Sequence, residues 1–382
     1  MPAFHILEVV AGTDWAYDAL HDLEVAITTE LHGEDLSLSA DWMRHSYANE
    51  KTAVKAALVA VPGPVPVGAP VGRFGLPVAP PEPVELIGSI QFQLPTADNQ
   101  HLVEDCFCEV RADVRRAGVG TALWREVVRI ADEHERTTIL AWSEHNLAAA
   151  DPDAERIVPP THEGWLPLDP GSSFARSLGL SLAQVERQSR LELPVPAARL
   201  AELRAEAEAL ALPTYRVVTW VGPTPAEHRD RIAVMNRTLS TDAPTGEVDW
   251  QPENWDADRV LQMDEQIHRS GHSVTTLAIA PDGSAAGYTT IQVHDSHPHR
   301  PEQWTTVVAG EHRGHRLGLL LKVVNLQLLA EDQPDARHVD TWNAGENDHM
   351  LAINTRLGFR PHSAHGAWQR KIPAPDQVGD GS

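Results

Sequence analysis

The spacing of apolar residues predicts the same structural unit in both halves of the chain. Apolar side chains recur at helical intervals twice, at Val119, Leu123, Val127 and Ile130 and again at Leu317, Leu321, Val324 and Leu328. This spacing is typical of a helix with one buried face. The stretches TTILAW, TTVV and HVDTW beside these helices are rich in β-forming residues and predict strands.

The two units are in register along the sequence. Arg115 and Gly120 correspond to Arg313 and Gly318, each 198 residues further on. Upstream of each unit, two β-rich segments predict paired strands: AALVAV with ELIGSIQFQL, and SVTTLAIA with YTTIQV across the turn PDGSAAG. A chain of 382 residues suits two cores better than one. We therefore predict two domains of similar topology.

Domain boundaries follow from composition. We predict a first domain over residues 1–195, a linker helix over 196–213, a second domain over 214–373 and a flexible tail over 374–382. The Pro/Gly-rich segment 61–84 predicts a long exposed loop, because prolines cannot continue a sheet. The first half also carries 21 extra residues before its Leu178-Gly179, relative to the second half.

Charge and composition limit the partners. The net charge of −23 disfavours binding to nucleic acid and to anionic membranes, and it attracts cationic amines, although an acidic soluble surface gives the same value. We find no signal peptide and no apolar run of membrane-spanning length. Cys106 and Cys108 predict two reduced thiols, and the histidines of VHDSHPHRP predict a solvated loop rather than a metal site. We expect a cytoplasmic protein without a bound metal.

Two basic turns carry the chemical signal. The segment from Arg115 to Thr121 joins a strand to a helix, and its glycines allow backbone N–H groups to approach a ligand. The positive end of the helix then favours a pyrophosphate. A dinucleotide fingerprint would need a glycine at Leu123, and the Gly-Lys-Ser/Thr of a Walker A loop is absent. One such turn is compatible with an ordinary connection, but two in register favour phosphate binding.

These turns resemble a known signature. The pattern R-x-x-G-x-G at Arg115, Gly118 and Gly120 resembles the acetyl-CoA signature of the GNAT N-acetyltransferase superfamily. The second copy matches at Arg313 and Gly318 but has Arg316 in place of the middle glycine. The stretch from residue 343 to 359, which ends in Leu-Gly-Phe, is similar to the family's second cofactor-contacting segment. The chain thus resembles two GNAT domains in tandem.

The resemblance implies an α/β (α+β) fold in which each domain is a twisted mixed sheet flanked by helices. Two central strands should splay apart and admit the pantetheine arm of the cofactor, with Thr305 to Val308 and Cys106 to Val110 offering backbone N–H groups to the thioester. The implied activity is acyl-CoA-dependent N-acyl transfer, with acetyl-CoA or another acyl-CoA as cosubstrate and a primary amine of a small molecule as acceptor. The expected cofactor-binding residues are Val308, Arg313, Gly314, His315, Arg316, Leu317, Gly318, Leu319 and Asn347 in the second half, and Val110, Arg115, Arg116, Ala117, Gly118, Val119, Gly120 and Thr121 in the first.

The catalytic groups are less defined. Acyl transfer needs a base for the ammonium, whose pKa is near ~10, and a proton donor for the departing thiolate. Many family members use a tyrosine as that donor, where this chain has Asn354 and Ala175. Asn354 either hydrogen-bonds the cofactor or is a helix-surface amide. Glu311 is a candidate base or the partner of a surface ion pair. Further base candidates are His312, Asp340 and Glu346 in the second half, and Glu104, Asp105 and Glu109 in the first.

Three functions stay open at this point. The first is a small-molecule amine N-acetyltransferase, whose chemistry we place in the second half because that half lacks the insertion and keeps Asn354. The second is peptide or protein N-terminal acylation, with the loop 61–84 as a docking element. The third is an acyl-CoA-binding regulator with a degenerate catalytic centre. The sequence does not define the acceptor, the acyl chain or the oligomeric state.

Overall fold

The computed structural model describes residues 3–65, 67–151, 153, 155–212 and 214–372. The chain divides into two compact units. Unit 1 comprises Met1–Val185, Glu247–Trp250 and the residues from His365 onward, and unit 2 comprises Glu186–Gly246 and Gln251–Ala364. The predicted tail over 374–382 lies outside the described residues. Among those residues, no helix combines the length and the apolar character needed to cross a bilayer.

Unit 1 begins with a strand and two helices before its central strands. Its elements in chain order are β1 Phe4–Glu8, α1 Asp14–His32, α2 Ala40–Ala48, β2 Ala53–Pro62, β3 Gly88–Pro95, β4 Leu102–Val110, α3 Val119–Glu133, β5 Thr138–His145, β6 Arg156–Ile157, β7 Leu166–Pro167 and α4 Pro170–Ser177. The strand β8, Ser181–Glu192, then leads from unit 1 into unit 2. The short strands β6 and β7 form a hairpin within the predicted insertion.

Unit 2 repeats this plan. Its elements are α5 Ala197–Ala211, β9 Arg216–Val221, α6 Arg229–Asp242, α7 Ala257–Ile267, β10 Gly271–Ile279, β11 Ala285–His294, β12 Glu302–Val308, α8 Leu317–Asp332, β13 His338–Ala344 and α9 Asp348–Leu357. The last strand, β14 Arg360–Lys371, starts in unit 2 and returns to unit 1 at His365. The two predicted strand pairs are present, as β2 with β3 and as β10 with β11.

The sheet of each unit is mixed, which confirms the predicted fold class. In unit 1 the order is β1-β2-β3-β4-β5, antiparallel except for the parallel pair β4 and β5. In unit 2 the order is β9-β10-β11-β12-β13, which matches that of unit 1 strand for strand. It again contains one parallel pair, β12 and β13. In both units the parallel pair is joined through the helix that follows the basic turn.

The two central helices differ in how completely they are buried. In α3 the predicted apolar face is buried, including Leu123 and Val127, which are fully inaccessible. In α8 nearly every side chain from Leu317 to Leu326 is buried, so the helix is not amphipathic as predicted. The reason is α5, the predicted linker helix, which packs on α8 and contributes to the core of unit 2.

The Pro/Gly-rich loop is only partly exposed. Val67 and Val71 are exposed as predicted, but Phe74 is buried and packs against Phe92. The Glu8 carboxylate accepts hydrogen bonds from the backbone N–H groups of residues 73 and 74, both at 2.9 Å. The prediction of a wholly exposed loop was therefore wrong at Phe74, because a buried aromatic ring and a buried carboxylate fix the middle of the segment.

Candidate functional site

The parallel strands separate in both units, as the resemblance implied. In unit 2, β12 pairs with β13 only at residues 302 and 303, so the strand edge from residue 305 to Val308 is free of β13. In unit 1, β4 pairs with β5 up to Cys106, across an irregularity at Asp105, whose φ of 51° is left-handed. Each separation leaves a gap that opens toward the basic turn.

The two basic turns have the same backbone conformation although their glycines differ. In the first turn, Arg116 and Gly118 adopt left-handed φ angles of 64° and 87°. In the second, Gly314 and Arg316 occupy the equivalent positions with φ angles of 85° and 56°. Each turn therefore contains two residues in the left-handed conformation, and only one of the two is a glycine. Arg316 takes the strained conformation that a glycine adopts in the first turn.

Both turns present helix N-termini. The helices α3 and α8 begin directly after the second left-handed residue, and neither has a side-chain cap on its first N–H groups. Uncapped N–H groups at a helix start, together with the helix dipole, favour an anion. The order strand, left-handed turn, uncapped helix thus places two uncapped helix N-termini at matching points of the two units.

The first arginine of each turn is held in the same way. Arg115 Nε donates to the carbonyl of Val110 at 3.0 Å, and its guanidinium contacts both carboxylate oxygens of Glu30 at 2.8 and 2.5 Å. Arg313 Nε donates to the carbonyl of residue 308 at 3.3 Å, and the guanidinium contacts Asp242 at 2.7 Å. Each arginine therefore fastens the turn to the end of the preceding strand and is partly neutralised by a helix carboxylate.

A cavity of about 500 Å³ lies beside the second turn. Its volume is in the range of small-molecule and cofactor sites. It extends from the free edge of β12 to the start of α8 and on to α9. The predicted cofactor-binding residues that line it are Val308, Arg313, Gly314, Arg316, Leu317, Gly318, Leu319 and Asn347. A Cβ at Gly318 would lie 3.0 Å from Ile353 Cδ1, so glycine keeps this end of the cavity open.

Other predicted residues lie outside that lining. His315 is exposed and packs against Tyr215, with ring centroids 5.5 Å apart. Glu311 is exposed in a separate shallow groove beside α6. In the first turn, Gly120 is buried and faces Phe174 of α4, because a Cβ there would lie 2.9 Å from Phe174 Cζ. Phe174 of unit 1 thus holds the place that Ile353 holds in unit 2.

Asn354 lies in a buried polar network. It is neither on the helix surface nor among the residues that line the cavity. Its Oδ1 accepts from Lys322 Nζ at 2.8 Å, and its Nδ2 donates to Asn343 Oδ1 at 2.6 Å. Burial lowers the pKa of Lys322 to about 7. Lys322 was not among the predicted site residues, although it is the one charged residue in the run LGLLLKVVNLQLL.

A cluster of carboxylates lies in unit 1, where Glu24 of α1, Glu109 of β4 and Glu144 of β5 interact electrostatically. Glu144 Oε1 lies 2.9 Å from His32 Nε2 and 3.3 Å from His365 Nε2, contacts that hold its pKa far below the usual range although burial opposes this. The Oε2 atoms of Glu24 and Glu109 are buried without a hydrogen-bond partner in the part of the chain that the structure describes.

Of the candidate bases, Glu109 has the environment of a proton acceptor near neutral pH. Burial, followed by the charge of Glu144, raises the pKa of Glu109 to about 7. Asp340 in unit 2 is fully buried, and Arg190 donates to both of its oxygens at 2.8 and 2.9 Å, so its charge is already compensated. Within the described ranges, no group of three His, Cys, Asp or Glu residues is arranged to hold a metal ion.

Comparison with solved structures identifies the fold. A tandem GNAT protein from the clavulanic acid biosynthesis pathway superposes with a TM-score of 0.69 at 22% identity, covering 98% of this chain and 100% of its own. A GCN5-related N-acetyltransferase from Sphaerobacter thermophilus gives a TM-score of 0.58 at 12% identity, covering 98% of this chain and 97% of its own. Saccharomyces cerevisiae N-myristoyltransferase with bound myristoyl-CoA gives 0.55 at 9% identity, covering 98% and 80%.

Sequence comparison adds no narrower assignment. No protein-family model matches the chain, and no curated protein matches it. The structural similarity therefore shows that the chain has the tandem GNAT fold, and the details of the reaction depend on the chain's own groups.

Proposed function

We propose that this chain, which has the tandem GNAT fold, is an acyl-CoA-dependent N-acyltransferase that transfers an acetyl group to a primary amine of a small molecule. The observation that carries the proposal is the cavity of unit 2, where an uncapped helix start, a basic turn and a free strand edge meet. These parts match the needs of a CoA thioester, namely N–H donors for phosphate, a channel for pantetheine and strand N–H groups for the carbonyl.

The charges around the second turn support a phosphate ligand. Arg313 and Arg316 line the cavity, but they contact Asp242 and Glu206. Glu206 also contacts Arg356, a third cation at the cavity, at 2.5 Å. We expect a pyrophosphate to replace these solvent-accessible carboxylates, since ion pairs at the surface contribute only about 0–1 kcal/mol each. Arginine is well suited to phosphate because of its bidentate geometry.

The carboxylates of unit 1 support an amine as the acceptor. Glu24 and Glu109 each have a buried Oε2 atom without a hydrogen-bond partner among the described residues, and these atoms can accept hydrogen bonds from a primary amine. A carboxylate whose pKa is about 7 is suited to accept the ammonium proton at neutral pH. These groups support acyl transfer in unit 1, whereas the sequence favoured the second half, so the experiment must separate the two units.

Calorimetry and turnover of matched variants test the proposal. Arg313→Ala with Gly318→Trp should abolish CoA binding at the cavity of unit 2, because the change removes a cation and fills the space beside Ile353. Arg204→Ala, on the exposed face of α5, is the matched control and should bind CoA normally. The pair Arg115→Ala with Gly120→Trp probes unit 1 in the same way. Thiol release from acetyl-CoA with a panel of aliphatic amines measures turnover, and its absence in the wild-type protein would refute the function.

A further inference from the structure

Unit 1 contains a hydrogen-bonded series of Ser143, His145 and Asp169. Ser143 Oγ lies 2.6 Å from His145 Nε2, and His145 Nδ1 lies 2.6 Å from Asp169 Oδ2. His145 is fully buried. Asp169 is fixed as the N-cap of α4, where its Oδ1 accepts from the backbone N–H of Ser172 at 2.9 Å. Burial alone would raise the pKa of Asp169, but the hydrogen bond with His145, the charge of His145 and the hydrogen bonds with Ser172 together outweigh it and hold the pKa below its usual value.

The series lies where the two central strands have separated. The last residue of β5 that pairs with β4 is Ala141, and Ser143 follows two positions later on the same face of the strand. The matching residue of unit 2 is Asn343, which contacts Asn354 of α9. The residue of unit 1 that matches Asn354 is Ala175, which has no polar side chain. Ser143 therefore supplies a hydroxyl group at the gap of unit 1, where α4 supplies no polar side chain because it has Ala175.

The other contacts of Ser143 decide where its proton can go. Trp368 Nε1 donates to Ser143 Oγ at 2.7 Å and so uses one of the two lone pairs. Gly366 permits this contact, since a Cβ there would lie 2.6 Å from Trp368 Nε1 and 3.0 Å from Ser143 Oγ. When His145 is protonated, its Nε2–H donates to the second lone pair. The hydroxyl proton of Ser143 must then point away from both donors.

We propose that Ser143, with His145 and Asp169 behind it, donates the proton to the departing CoA thiolate in unit 1. This inference rests on the proposed acyl transfer. The amine nitrogen bonds to the acyl carbon and gives up a proton to Glu109, and the carbon–sulfur bond breaks. The thiolate takes the hydroxyl proton of Ser143, and Ser143 takes the Nε2 proton of His145. Asp169 stays ionised and stabilises the imidazolium before transfer, and the buried His145 regains a proton through the half-buried Ser143 hydroxyl once the thiol has left.

The test compares two acyl donors that differ in their need for a proton. Coenzyme A leaves as a basic thiolate, whereas 4-nitrothiophenol leaves as a stable anion. With acetyl-CoA, Ser143→Ala and His145→Gln should each lower kcat by about 10² to 10⁴ with little change in KM. With S-acetyl-4-nitrothiophenol, both variants should retain nearly the wild-type rate. Ser143→Thr should restore part of the acetyl-CoA activity, because it keeps the hydroxyl.

Controls separate this role from a structural one. Ser177→Ala removes an exposed hydroxyl that bonds only to a backbone carbonyl of α4 and should leave both rates unchanged. Equal losses with both donors would overturn the proposal, as would full acetyl-CoA activity in Ser143→Ala or in His145→Gln. An acyl group found on Ser143 by mass spectrometry would also overturn it, because the residue would then be a nucleophile. Amine-dependent thiol release that depends on Arg313 and Gly318 but not on Ser143 would leave the proposed function intact.

Discussion

At the scale of single residues, Glu109 should make the proposed reaction depend on pH near neutrality. Its raised pKa of about 7 keeps the carboxyl protonated below neutral pH, and a protonated carboxyl cannot accept a proton. We expect amine acetylation to rise between pH 6 and pH 8 as Glu109 ionises. Glu109→Gln should lower kcat/KM by about 10² to 10⁴ and remove that rise. The pH profile of thiol release measures both effects.

The matched control for Glu109 is Glu104→Gln, a change on the same strand. It should leave the pH profile in place. If Glu104→Gln removes the rise and Glu109→Gln does not, the base has been assigned to the wrong carboxylate of β4.

Lys322 makes the free energy of unfolding depend on pH above neutrality. The folded protein lowers its pKa from 10.5 to about 7, so between these values the unfolded chain binds the proton more strongly. The free energy of unfolding therefore gains from this group as pH rises through that window, by at most about 1.4 kcal/mol per pH unit. Lys322→Met should lose this gain. Urea unfolding should therefore show that the free energy of unfolding of the wild type increases relative to that of Lys322→Met between pH 7 and pH 9.

Lys51→Met is the control, since Lys51 is exposed. Its difference from wild type should be the same at both pH values. A pH-independent difference for Lys322→Met would mean that the buried amine keeps an ordinary pKa.

At the scale of elements, the two turns allow a paired test of backbone strain. Gly118 and Arg316 are equivalent left-handed residues, but only Arg316 carries a Cβ there. Gly118→Ala should lower the free energy of unfolding by about 1 to 2 kcal/mol, because it adds the Cβ strain. Arg316→Ala should change it less, since the strain is already present and the lost ion pair is exposed. Midpoints of urea unfolding at unchanged m-value measure both. Equal losses would contradict this prediction, because Arg316→Ala adds no Cβ to the turn.

Sequence patterns predicted these helices and turns, but they did not predict all of the contacts that the elements make with the rest of the chain. Helical spacing placed α3 and α8, and the repeat placed the two turns, because both features are local. The burial of Lys322 was not predictable, since it depends on α5 and α9 covering a helix that is distant in sequence. The contact of Asp169 with His145 was missed for a related reason, as the insertion between them looked like an interruption and in fact supplies the cap of α4.

At the scale of the whole molecule, residues near the end of the sequence belong to the first unit. Trp368 is 1% exposed and donates a hydrogen bond to Ser143 of β5. Trp368→Ala should destabilise unit 1 by about 3 to 5 kcal/mol, as is usual for a buried tryptophan. Hydrogen exchange should then quicken in β2 and β5 and stay slow in β10 and β11. The same exchange pattern for Trp304→Ala, at a residue 59% exposed, would contradict this view.

The path of β14 has a consequence during protein synthesis. Unit 1 needs the residues from His365 onward, including Ala367 and Trp368 of its core, although the rest of it is complete at residue 250. A ribosome that adds about 5 to 20 residues per second needs roughly 6 to 23 s to translate from residue 250 to His365. For that time the nascent unit lacks a strand and leaves β5 with an open edge. The first unit to be translated is thus the last to complete its sheet, and the faster residues 250 to 365 are translated, the shorter the time for which its open edge can pair with other chains.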